Sequence, residues 1–112
     1  IKCGHKTTAN VATIANKNSY TAAIKKVVVS VDQVLNTSKV STKLEVATDE
    51  SFTNIVETVN ATIAVGDVEY VVSSPQVNCY YRLTFDNQAL GGNSNGNVQI
   101  SKVKYVPADV AN

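Results

Sequence analysis

The stretch Cys79-Tyr80-Tyr81-Arg82-Leu83-Thr84-Phe85-Asp86 decides the fold. Cys79, Tyr81, Leu83 and Phe85 fall on one side of an extended chain, and Tyr80, Arg82, Thr84 and Asp86 on the other. Alternation with period two is the signature of a strand that buries one face and shows the other to water. A second such run, Val98 to Val106, follows across the Gly/Asn-rich stretch Asn87 to Asn97. Its parity breaks in the middle: Val98 and Ile100 share one side, Val103 and Tyr105 the other. One extra residue near Ser101-Lys102, a β-bulge, would return all four to the core and leave Lys102 in water.

Working back toward the N-terminus, strand candidates recur with turn signals between them. Val11 to Ala15 is short. Ile24 to Val31 is rich enough in valine to be partly covered on both faces and reads as a central strand. The segment Asp32 to Ser38 is read as a connection in which Val34 and Leu35 make a brief helical turn. Val40, Thr42, Leu44 and Val46 then line one face of a strand whose Ser41, Lys43 and Glu45 face water. Asp49-Glu50-Ser51 turns the chain, with Phe52 as a core plug. Strands follow at Ile55 to Val59 and Thr62 to Val65, and Gly66-Asp67 reverses the chain into Val68, Tyr70 and Val72. Ser73-Ser74-Pro75 ends that run. The result is an all-β chain, an antiparallel β-sandwich or jelly roll of about eight strands.

At 112 residues the chain is expected to be one domain, residues 1–112, with an N-terminal segment 1–10 and a C-terminal tail 107–112. Its 44% hydrophobic content supports a real core, and the β-branched share suits pleated sheets. A formal net charge of +1 offers no field for nucleic acid, and no apolar run approaches the ~20 residues that span a bilayer. The sequence holds no methionine, which points to a processed mature protein or an excised domain. Cys3 and Cys79 permit either one bridge, which would close most of the chain, or two free thiols.

Catalytic constellations are missing. His5 is the single histidine, and no serine stands in a nucleophile elbow. The carboxylates lie at turns or outward strand positions, so an enzyme is not expected. Asp49, Glu50 and Asp86 are the oxygens a structural calcium would draw on, but no EF-hand spacing supports one and no cofactor is expected. The sequons at Asn36 and Asn60 matter only in a host that glycosylates asparagine.

Two features suit a ligand. The amides of the Asn87 to Asn97 stretch, with Asn87, Gln88, Asn93 and Asn95 foremost, can read sugar hydroxyls. Tyr80 and Arg82 project together from the outward side of their strand, where a tyrosine can stack on a pyranose and an arginine can bond hydroxyls or carboxylates. Otherwise a site would lie on a sheet face or an unpaired edge.

The stretches Ile1-Lys2-Cys3-Gly4-His5-Lys6, Ile24-Lys25-Lys26-Val27 through Lys43-Leu44-Glu45-Val46, and Asn78 to Phe85 with Asn95 to Val103 resemble accessory β-sandwich modules. These are of the galactose-binding-like or carbohydrate-binding jelly-roll type found in secreted and surface proteins of gut bacteria and their phages. The resemblance implies a secreted or cell-surface, noncatalytic module that binds a glycan or a surface protein beside other domains. The alternative is a structural assembly protein, a virion decoration subunit, fibre or pilus-like component, acting as a homo-oligomer or in a larger assembly through its strand edges.

Overall fold

The structure is a computed structural model that describes residues 2–4, 10–35, 40–87 and 97–108. Its strands are β1 (Lys2–Gly4), β2 (Asn10–Ala15), β3 (Ile24–Leu35), β4 (Val40–Ala47), β5 (Ile55–Ala61), β6 (Gly66–Val71), β7 (Tyr80–Asn87) and β8 (Asn97–Pro107). They form two four-stranded sheets, β1-β8-β3-β6 and β2-β7-β4-β5, antiparallel throughout. Pairing is nested: β1 with β8, β2 with β7, β3 with β6 and β4 with β5. That is the topology of a jelly roll, a chain folded back as one long hairpin and rolled into two facing sheets. Seven of the strands run six residues or more; β1, at three residues, only extends one edge.

The alternation in β7 holds along its length. Cys79, Tyr81, Leu83 and Phe85 are each 0% exposed, facing Val27, Val29 and Val31 of β3, Val68 and Tyr70 of β6, and Val98 and Ile100 of β8 in one core. Val40, Thr42, Leu44 and Val46 of β4 are buried as well. Thr42 is polar among them, and its Oγ1 lies 2.6 Å from the Tyr70 hydroxyl. This bond crosses from one sheet to the other and satisfies two hydroxyls that burial would otherwise leave without partners. Burial pushes the Tyr70 hydroxyl above its ordinary range, with the Thr42 bond opposing. Cys79 is a free thiol 3.6 Å from the Val77 carbonyl.

One end of the core is closed by three tyrosines. Tyr81 meets Tyr20 and Tyr105 edge-on with ring centroids 5.9 Å apart in both pairs, and Tyr20 lies 4.9 Å from Tyr105. Tyr20 is fixed by backbone bonds, donating to Cys79 O at 3.0 Å and accepting from Asn78 N at 2.8 Å. Burial drives the hydroxyls of Tyr81 and Tyr105 up to about 12.

β3 is central to its sheet, between β8 and β6, and the bulge in β8 lies where parity requires it. Ser30 pairs with Lys102 but Val31 with Ile100, which leaves Ser101 unpaired on β8. Val98 and Ile100 are buried, Lys102 is exposed, and Val103 and Tyr105 pack against the core while remaining partly open. Val103 borders a shallow depression that it lines with Ile14, Ile100, Ser101 and Lys102.

Other expectations are corrected. Val34 and Leu35 make no helical turn, because β3 runs through them to pair with Val98 and Asn97. Residues 62–65 form no strand; they link β5 to β6, with Ile63 alone among them turned into the core. Phe52 is 8% exposed, but its ring serves an arginine on the outside of a sheet rather than the core between the sheets.

Candidate functional site

The outer face of the β2-β7-β4-β5 sheet gathers the polar side chains that alternation turns away from the core. Register arranges them in rows across the strands. Asn60 of β5, Lys43 of β4, Thr84 of β7 and Thr13 of β2 are successive partners, spanning the sheet in one line of about 14 Å. The next row toward one end holds Ser41 opposite Asp86; the next toward the other holds Thr58, Glu45 and Arg82.

The last of these rows is spent on structure. Arg82 donates from Nε and Nη2 to Glu45 Oε1 at 2.9 and 2.8 Å, and its guanidinium carbon lies 4.4 Å above the centre of the Phe52 ring. Glu45, expected in water, is 6% exposed; the arginine and Lys43 Nζ, 3.8 Å from Oε2, compensate its charge. A carboxylate so desolvated persists because its partner donates charge-assisted bonds. Phe52 is held beneath by a tight turn at φ 55, a conformation unusual for a large side chain. Asp49 supports that turn: its carboxylate accepts from Thr53 N at 3.1 Å, Thr53 Oγ1 at 2.5 Å and Asn54 N at 2.9 Å. The Thr53 hydroxyl, followed by the Asn54 and Thr53 amides, holds the Asp49 carboxyl below its ordinary value.

The other end of the face is open. Ser41, Thr42, Lys43, Asn60, Thr84 and Asp86 line a depression of about 310 Å³. Lys43 is 43% exposed at its side chain, and Asp86 makes no hydrogen bond or ion pair with any described residue. The depression thus offers an ammonium, a carboxylate, two hydroxyls and an amide on a concave, non-aromatic floor. Such a set donates to and accepts from a ligand dense in hydroxyl groups. Asp86 is the one carboxylate among its described lining residues.

The residues expected to form a site are dispersed. Arg82 is bound to Glu45 and Phe52, and Tyr80 is a half-buried neighbour of Ala47, about 13 Å along the strand from Thr84. Asn87 is not a loop residue: it ends β7 on the inward parity, is 0% exposed, and donates from Nδ2 to Phe85 O at 3.3 Å. Gln88, Asn93 and Asn95 lie outside the described residues. Of the calcium candidates, Asp49 is occupied with its turn and Asp86 belongs to the depression. Among the described residues no three His, Cys, Asp or Glu side chains cluster as a metal site.

Ser41, Lys43, Thr84 and Asp86 are legible as outward residues at alternate positions of two strands. That β4 and β7 are neighbours with Lys43 opposite Thr84 is a long-range fact no local pattern carries. Fold and depression together define a jelly-roll β-sandwich with a polar groove on one sheet face. No protein-family model matches the chain, and no curated protein does. Among solved structures it is similar to a glycoside hydrolase family 43 arabinoxylan arabinofuranohydrolase from Bacillus subtilis in complex with cellotetraose. The identity is 18% and the TM-score 0.49, over 95% of this chain and 20% of that one.

Proposed function

We propose that the chain is a noncatalytic carbohydrate-binding module whose ligand lies in the groove of Ser41, Lys43, Asn60, Thr84 and Asp86. The single observation that carries this reading is the cross-strand arrangement of those side chains around a depression of about 310 Å³. Rigid strands fix the rows, so the polar groups are preorganised and little ordering entropy opposes binding. Lys43 donates to ring or hydroxyl oxygens, Asp86 accepts from vicinal hydroxyls, and Asn60 does both. With no aromatic floor, affinity rests on hydrogen bonds, and each unmatched hydroxyl discriminates strongly between epimers. A noncatalytic role is supported by the groove's lining, in which Asp86 is the one carboxylate among the described residues and so has no acid or base partner there.

A glycan array followed by titration calorimetry tests the reading. Binding to a neutral oligosaccharide is expected, with Lys43→Ala and Asp86→Ala each losing at least tenfold in affinity, Asp86→Ala melting as the parent does and Lys43→Ala remaining folded. Absence of binding across plant, host and bacterial polysaccharides at millimolar sugar overturns it, as does full affinity in both variants.

A further inference from the structure

The opposite outer face, on the β1-β8-β3-β6 sheet, carries a different pattern. Three rows cross its β8, β3 and β6 strands: Val106–Lys26–Val71, Lys104–Val28–Glu69 and Lys102–Ser30–Asp67. The lysines of β8 form one stripe and the acids of β6 another, with β3 between them. Lys102 and Lys104 are exposed and make no hydrogen bond or ion pair with any described residue. Between the stripes is a depression of about 240 Å³ whose floor includes Val28 and Ser30. Val71, in the edge strand, is 59% exposed on the same face.

This pattern is its own complement. Rotation by half a turn about an axis running along β3, in the plane of contact, keeps each row at its height and exchanges left for right. Lys104 then meets Glu69 of the second copy, Lys102 meets Asp67, and Val106 meets Val71. The two Lys26 side chains would approach each other near the axis, but each is drawn aside to Glu69 at 3.4 Å. Two sheets stacked this way have aligned strands, an ordinary geometry for face-to-face packing, and the depression leaves room for the partner's long lysine side chains. We infer that this face docks on the same face of a second copy of the chain, forming an isologous dimer about β3. The lysine and carboxylate stripes supply its specificity. The other half-turn that brings the faces together, about an in-plane axis across the strands, sets them antiparallel and lays lysine stripe on lysine stripe and acid stripe on acid stripe, which like-charge repulsion opposes. The dimer leaves both polar grooves pointing outward, so it is independent of the carbohydrate reading.

Sedimentation velocity over a concentration series at low salt tests the inference. A reversible monomer–dimer equilibrium is expected, weakened roughly tenfold at high salt as screening shortens the reach of the charges. Lys102→Glu with Lys104→Glu makes both stripes acidic, and Asp67→Lys with Glu69→Lys makes both basic. Each variant alone should be monomeric, and an equimolar mixture should form a one-to-one complex, because all four stripes are again matched. Thermal melts establish that both are folded; if either is not, the single reversals Lys104→Glu and Glu69→Lys, which exchange the charges of one matched pair, take their place. A parent chain that stays monomeric at every concentration overturns the proposal. So does a dimer that survives both reversals, or a mixture that does not associate.

Discussion

The two halves of the outer side of β7 differ in a way their sequence does not announce. Tyr80, Arg82, Thr84 and Asp86 share one parity and one face. Arg82 nevertheless is consumed by Glu45 and Phe52, whereas Thr84 and Asp86 stand at an open groove. Outward orientation is therefore not availability. A charged side chain beside an opposite charge on the next strand becomes part of the scaffold, and the residue two places further on keeps its hydrogen-bonding capacity for something else.

The widest contrast on this strand is between its inner and outer sides. Leu83→Ala should destabilise by about 2–5 kcal/mol, the cost of a cavity in a packed core, and Thr84→Ala by well under 1 kcal/mol. Equal losses in denaturant melts would break the assignment of sides. Within the outer side, Arg82→Ala should cost about 1–3 kcal/mol, since it strands the buried Glu45 carboxylate and uncovers Phe52. Asp86→Ala should leave stability within ~0.5 kcal/mol. A cycle with Glu45→Gln would sharpen this: the double variant should recover part of the loss.

Proton linkage probes the same division between spent and free groups. Tyr81 and Tyr105 titrate near 12 when folded and near 10 when unfolded. The unfolded chain loses those protons first, so their contribution is whole below pH 10 and disappears as the pH rises toward 12. Phenolate absorbance should show Tyr81 and Tyr105 still protonated in the folded chain near pH 10 and ionising only as the pH approaches about 12, with the melting temperature falling across that range. The smallest effect is at the acid end. Burial pushes the Glu57 carboxyl up, but bonds from Ser73 N, Ser73 Oγ and Ser74 N at 2.7, 2.8 and 3.1 Å outweigh it and leave it below its ordinary 4.5. Its contribution is present above pH 4.5 and is lost as the pH falls through the lower folded value. Glu57→Gln should flatten that part of the stability profile by under about 1 kcal/mol, because the group is half-exposed.

What could be read in advance was what depends on near neighbours in the chain. Cys79, Tyr81, Leu83 and Phe85 are identifiable as core from their spacing, and the parity break between Ile100 and Val103 places a bulge near Ser101-Lys102, which the register puts at Ser101. Asn87 was misplaced because Gly/Asn composition begins there, while its parity continues that of Phe85 and takes it inside. Val34 and Leu35 were misread because the bulge at Asp32, where Val31 pairs with Ile100 and Gln33 with Gln99, interrupts an alternation that in fact goes on. The groove was not legible as a site. Its four outward residues on β4 and β7 come from segments some forty positions apart, and only the register between the strands makes them one surface.

The nested order of the strands has a kinetic meaning. Only β4 and β5 are joined by a short connection and paired directly with each other; every other ladder, from β3 with β6 out to β1 with β8, closes a longer loop. Loop-closure entropy grows outward through the nest, so the β4–β5 hairpin is the natural nucleus and the chain zips from its middle toward its ends. The β4 half of the groove forms on that nucleus, but its β7 wall arrives only with the long-range pairing that completes the sheet. The last ladder to close, the three-residue β1, should be the first to exchange its amide protons with solvent.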